Sequence, residues 1–279
     1  MSMIRKTIIV QISIAVMIII FNTAFSVSEG KAVEIGKKGV ITGKILIKDS
    51  GPLSGGQVIF FNAAAGPPPE AEKYDRTPEF VRDIDAEGRF NVELPPGTYY
   101  LGASRKASGE PIGPPQEGDY VWRSLDSSGK PKAHIIKAGE RLDIGTVAEA
   151  VPLKAGSLRD RAITTAIEGA VLDMDGKPVS GAVVVAFADP SLKGKPLFVS
   201  ERTDENGKYL LRISAGTYYI RARNEFASGP PEPGQIVGFY GEGTPAPVTI
   251  RDGERLKDMN FKVILFPGRG PFSGTAPGR

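Results

Sequence analysis

From residue 37 onward the chain alternates apolar and small or polar positions with a period of two. Ile41, Gly43 and Ile45 form one such series, matched later by Ile167, Gly169 and Val171, and Phe90, Val92 and Leu94 form another, matched by Tyr209, Leu211 and Ile213. A period of two puts one side of each segment toward a core and the other toward water, so these segments are read as half-buried strands. The stretches DAEG and DENG stand between strand patterns, where Asp and Asn accept local backbone bonds and Gly takes the turn. No stretch beyond the N-terminus keeps a long helical period. In GTYYLGA, Tyr99, Leu101 and Ala103 share one side, as do Tyr218, Ile220 and Ala222 in GTYYIRA; Tyr100 and Tyr219 fall on the opposite side.

The same patterns occur twice. Aligned on GTYY, RDIDAEGRFNVELPPGTYYLGASR matches ERTDENGKYLLRISAGTYYIRARN at an offset of 119, while upstream VITGKILIKDSGPLSGGQVIFF matches AIEGAVLDMDGKPVSGAVVVAF at an offset of 126. The first copy therefore holds 126 − 119 = 7 extra residues, within AAAGPPPEAEKYDRTP. AGERL at 138–142 echoes DGERL at 252–256. Two copies of one unit with loop insertions account for all three matches, and short strands joined by Gly/Pro turns predict an all-β fold of two small antiparallel sandwiches. They are expected at 37–151 and 162–266, to fold independently across the polar linker KAGSLRDR, and to be followed by a disordered tail over 267–279.

GAVLDMDGKPVSGAVVV followed by TDENGKYLLRISAGTYYIRA, and the ending FYGEGTPAPVTIRDGERLKDMNFKV, resemble the carboxypeptidase regulatory-like domain. The resemblance spans 162–266 strongly and 37–151 more loosely. It implies two tandem seven-stranded, transthyretin-like sandwiches of a kind often found in secreted bacterial proteins, and carries little about activity. The first copy departs from the pattern by its insertion and by DYVWRSLDSSG where the second reads GFYGEG.

The N-terminus breaks the strand pattern. Arg5 and Lys6 precede an apolar run from Ile8 to Phe21, and Ala24 and Ser26 are small, so residues 1–26 read as a secretory signal and the mature protein is expected in the periplasm or at the cell surface of a bacterium. The run is short for a bilayer span, and an uncleaved anchor is the alternative. The formal charge of +3 becomes +1 once Arg5 and Lys6 are set aside, which implies no nucleic-acid partner. With no cysteine, thiolate metal sites, disulfide scaffolds and cysteine nucleophiles are excluded.

Candidate chemistry is sparse. The single histidine, His134, cannot supply the two or more His that zinc carboxypeptidases, dioxygenases on related sandwiches or transthyretin-like hydrolases use, and in AHIIK it is read as a strand residue facing solvent. The alternating Asp83, Asp85 and Glu87, and the pair Asp173 and Asp175, have oxygen-cage spacing without a following bidentate Glu, and are read as solvated turns with no metal. No cofactor motif is present, and no catalytic residue is assigned.

One signal remains, a proline-rich loop in each copy. EPIGPPQEGDYVW leads to Tyr120 and Trp122, and PPEPGQIVGFYG leads to Phe239 and Tyr240. Proline stiffening would present these aromatics at low ordering cost; alternatively they start the next strand and pack beneath the loop. The sequence thus points to a non-catalytic exported module with loops for an envelope protein partner, with carbohydrate binding through the aromatics as the alternative. Partners are expected to be an envelope protein or a polysaccharide, and membrane contact only through an uncleaved signal segment.

Overall fold

The computed structural model describes residues 36–109, 116–154, 165–224 and 231–267, which belong to one compact unit. The signal segment, most of the linker, the tail from 268 and the tips of both proline-rich loops lie outside the described residues. Those described are all β, with no helix among them and none long and apolar enough to cross a membrane.

The first half contains β1 (Gly39–Ile47), β2 (Gln57–Asn62), β3 (Phe80–Asp83), β4 (Arg89–Leu94), β5 (Gly97–Arg105), β6 (Tyr120–Arg123), β7 (Ala133–Ile136) and β8 (Arg141–Pro152). They form one continuous 8-stranded sheet in the order β3-β2-β5-β6-β8-β1-β4, with β7 beside the start of β5. Continuity comes from the length of β8, which runs parallel to β1 as far as Ala150 and then pairs with β6 through Val151 and Pro152. Inward residues of β1 and β4 (Ile41, Ile45, Phe90, Val92) pack with those of β2, β5 and β6 (Val58, Phe60, Tyr99, Leu101, Trp122) in one buried cluster.

The second half repeats this order with β9 (Ala166–Leu172), β10 (Val183–Phe187), β11 (Phe198–Arg202), β12 (Lys208–Arg212), β13 (Gly216–Arg223), β14 (Ile236–Phe239) and β15 (Pro247–Ile250). The counterpart of β8 is broken into β16 (Arg255–Leu256), β17 (Phe261–Lys262) and β18 (Ile264–Leu265), of which the first two pair parallel with β9 and the last with β14. At the break, Asp258 has a φ of 58° and the Asn260 side chain accepts the Ala170 N–H at 2.7 Å, taking over a ladder position. A 6-stranded and a 4-stranded sheet result. The strand count therefore exceeds the seven expected per copy, because the closing connection itself forms strands. An additional apolar layer lies on the other side of β10, where Val183, Val185 and Phe187 are buried with Leu192.

The seven extra residues of the first copy join the halves. The segment leaving β2 lays residues 75–77 antiparallel along the edge of β11, with Thr77 N donating to Leu197 O at 2.9 Å and Val199 N to Asp75 O at 3.1 Å. Tyr74 enters the core of the second half, its ring edge-on to Phe198 at 5.1 Å. Arg76, 7% exposed, ties this strap to the first half: it donates to Gly66 O, Pro67 O and Asn62 O, pairs with Glu79, and stands over the Phe61 ring. A sequence expectation of two units linked only by KAGSLRDR omits this contact, whose cause is a tyrosine from one copy filling the core of the other.

The repeated GTYY phrase resolves as a core device. Tyr99 is 0% exposed and Tyr218 6%, while Tyr100 and Tyr219 are half-buried on the opposite side, as the period of two requires. The Tyr99 hydroxyl donates to Pro95 O at 3.0 Å, and Tyr218 shares a bond with the Ser214 hydroxyl at 2.9 Å. In each case the ring folds back toward the glycine two residues earlier. A Cβ on Gly216, whose φ is +157°, would lie 2.6 Å from the Tyr218 hydroxyl.

Candidate functional site: the bases of two proline-rich loops

The loop between β5 and β6 rises from a locked base. Asp119, 1% exposed, accepts the Ala107 N–H at 2.9 Å and the Gln116 N–H at 2.8 Å, and pairs with the Lys106 ammonium at 2.8 Å. Burial pushes the Asp119 carboxyl up, but the Lys106 ammonium and the two backbone donors outweigh it and hold the pKa below the ordinary aspartate value. The chain after β8 closes the base from the other side, with Leu153 N donating to Asp119 O at 2.7 Å and Gly118 N to Leu153 O at 3.0 Å.

The corresponding loop between β13 and β14 is held by a neutral group. Asn224 Oδ1 accepts the Ile236 N–H at 3.1 Å, and the residue after β18 clamps the far side, with Gly234 N donating to Phe266 O at 2.8 Å and Phe266 N to Gln235 O at 2.7 Å. One buried or half-buried polar side chain plus the final strand thus anchors each loop. These bonds engage backbone N–H groups on both sides of each stem.

The four aromatics flanking these loops differ in burial and surroundings. Trp122 is 6% exposed in the first core, with its indole N–H 3.3 Å from Glu149. Tyr120, two positions earlier on the same side, is half-buried at the loop mouth, with the Arg105 guanidinium 4.5 Å from its ring centre. Phe239 is half-buried on the additional layer over β10 and pairs across strands with Arg221, whereas Tyr240 packs against the second core. Tyr120 also packs partly against the first core, and both Tyr120 and Phe239 are half-buried with an arginine as cross-strand neighbour. Trp122 contributes to packing.

His134 is corrected from a solvent-facing residue to a buried one. In β7 it alternates with Ala133 and Ile135 and shares the inward side with Ile136, and its Nε2 lies 2.8 Å from Ser124 Oγ, the two residues being 8% and 7% exposed. Burial, with Lys132 adding to it, lowers the imidazole pKa. Both side chains are buried, and among the described residues no carboxylate bonds to the second nitrogen, the third group that a Ser-His-Asp arrangement uses.

The acidic turns are built from their own backbone. Asp85 accepts the N–H groups of Glu87 and Arg89, Asp173 those of Asp175 and Lys177, and Asp204 those of Asn206 and Lys208, so these carboxylates are already engaged. The first of them borders a shallow groove of about 590 Å³ on the outer side of β1, β4 and β8, where Asn91, Thr42 and Asp143 stand in a row beside Arg89, Lys44 and Thr146. Sequence reasoning missed this groove because its residues come from three strands far apart in the chain.

Fold and site define the chain as an all-β protein of two repeated halves carrying anchored loops. No family model and no curated protein matches it. Among solved structures it is similar to the minor pilin of Streptococcus agalactiae, with 14% identity, covering 86% of this chain and 100% of that one at a TM-score of 0.23. It is also similar to a streptococcal ancillary pilin, with 16% identity over 84% of this chain and 63% of that one at a TM-score of 0.22. Similarity to the TIE protein of Bacillus anthracis is 16% identity over 81% of this chain at a TM-score of 0.25, and the chain spans only 34% of that protein. What the chain does must be read from its own geometry.

Proposed function

We propose that the chain is a non-catalytic, exported module that holds a protein partner of the cell envelope on its two proline-rich loops, with two tandem transthyretin-like sandwiches as the scaffold. The observation that carries this reading is the pair of locked bases. Asp119 and Asn224 fix the stems of both loops, Tyr120 stands at the mouth of the first beside Arg105, and Phe239 lies three residues beyond the stem of the second, opposite Arg221. Aromatic and arginine side chains in this arrangement suit a protein surface, where such residues dominate binding energy. The buried Ser124–His134 pair and the internally satisfied acidic turns support a role without catalysis. Export rests on the signal-like first 26 residues.

The groove over β1, β4 and β8 favours a second reading, polysaccharide binding. Asn91, Asp143, Thr42 and Thr146 are the groups that grip hydroxyls. Capture of proteins from envelope extract by the mature chain, compared with Tyr120→Ala and Phe239→Ala, tests the first reading. Loss of capture with a melting temperature within a few degrees of the unaltered chain is expected. Capture indifferent to both changes would remove the loops from the function.

A further inference from the structure

We infer that the contact between the strap of the first half and the β11 edge of the second is exchangeable between two copies of the chain, so that Tyr74 of one molecule fills the core of another. This is separate from the loop-based reading above and stands on a different surface.

The strap is a preformed knob that belongs wholly to the first half. Its turn is held by Arg76 on Gly66 O, Asn62 O and the Glu79 carboxylate, and by the Tyr74 hydroxyl donating to Pro68 O at 2.8 Å, all within residues 62–79. The slot belongs wholly to the second half: Phe198 and Tyr218, edge-on to each other at 5.5 Å, line it, and the Leu197–Val199 backbone offers the edge. Hydrogen bonds and a ring contact join the halves at this patch, with Lys195 on Pro78 O and Glu79 O at its border. Knob and slot from different molecules can therefore make these same contacts.

The internal repeat shows that the slot needs a filler. Phe80 and Tyr99 are the counterparts of Phe198 and Tyr218, and their rings also meet edge-on, at 6.1 Å. Phe80, with no strap over it, is half-buried, whereas Phe198 under Tyr74 is 0% exposed. Knob and slot are different surfaces, so the exchanged contact is head-to-tail and can close as a swapped dimer or extend as a chain. A short tether gives the intramolecular contact an effective concentration on the order of millimolar, so exchange should be rare in dilute solution and grow as protein concentration approaches that value.

The chain has no cysteine, which makes disulfide trapping clean. Thr77 and Leu197 stand opposite each other, flanking the Arg76–Phe198 bridge. The double variant Thr77→Cys/Leu197→Cys should form an intramolecular disulfide and so verify the docking. A mixture of the single variants Thr77→Cys and Leu197→Cys, refolded together at increasing concentration and oxidised, should then give a mixed dimer whose yield rises with concentration and falls at least fivefold when Tyr74→Ala is added to the first. Absence of mixed dimer at millimolar concentration, or a yield indifferent to Tyr74→Ala, would overturn the inference. If the cysteine variants do not fold, native mass spectrometry of the unaltered chain after millimolar refolding decides, because a purely monomeric spectrum contradicts exchange.

Discussion

Four hairpin turns in this chain share one five-residue recipe, DAEGR, DSSGK, DMDGK and DENGK, and the same bonds recur in each. The leading Asp accepts the N–H groups of the third and fifth residues, and the Gly takes a φ of 82°, 78°, 84° and 69° in turn. The glycines differ in their surroundings. A Cβ at Gly207 would lie 2.5 Å from Val171 O, whereas at Gly176 it would meet open space. Gly176→Ala should therefore cost only the left-handed backbone penalty of about 1 kcal/mol, and Gly207→Ala distinctly more, at least about 2 kcal/mol, in a urea melt. Equal costs would mean that β9 yields to the added methyl. At Asp119, a pKa held below the ordinary aspartate value implies stability that is present above about pH 4 and is lost as pH falls through the lowered value. Amide signals of Ala107 and Gln116 should stay fixed from neutral pH down to about 4 and shift only below it. A midpoint near the histidine range would contradict the lock.

Among the elements, the strap is the one whose role the sequence hid. Counting offsets reveals seven extra residues, and proline-rich composition predicts a loop, but nothing in AAAGPPPEAEKYDRTP specifies that its tyrosine enters a core over 120 residues further along the chain. By contrast, strand periods and the sides assigned to Tyr99, Tyr100, Tyr218 and Tyr219 were legible, because an alternating pattern fixes sidedness locally. His134 was legible too, had its shared parity with Ile136 outweighed its polarity. Trp122 and Tyr120 share one side, and whether that side is core or loop mouth depends on the distance from the strand end. Burial in the docked strap pushes the Tyr74 phenol up to about 12. Its neutral form is favoured in the folded chain, so docking is at full strength below about pH 10 and is lost as pH rises toward 12. Difference absorbance between the unaltered chain and Tyr74→Phe should show one tyrosine titrating near 12. A midpoint near 10, the ordinary phenol value, would mean that Tyr74 is not buried.

At the scale of the molecule, duplication multiplies a scaffold and the two halves then diverge at their connections. The first copy gained the strap and kept β8 whole, while the second broke the equivalent strand into three and covered β10 with an additional apolar layer. Both kept a proline-rich loop with a clamped stem, the feature by which the protein partner is recognised in the proposed function. The outer groove on β1, β4 and β8 offers the competing surface. The most direct measurement is quantitative capture from envelope extract by three forms of the mature chain: unaltered, Tyr120→Ala/Phe239→Ala, and Asn91→Ala/Asp143→Ala. The loop variant should lose at least tenfold of the captured protein while the groove variant retains it, both melting within a few degrees of the unaltered chain. Retention by the loop variant, with loss by the groove variant and release of the captured material by polysaccharide-degrading enzymes, would contradict the loop-based reading.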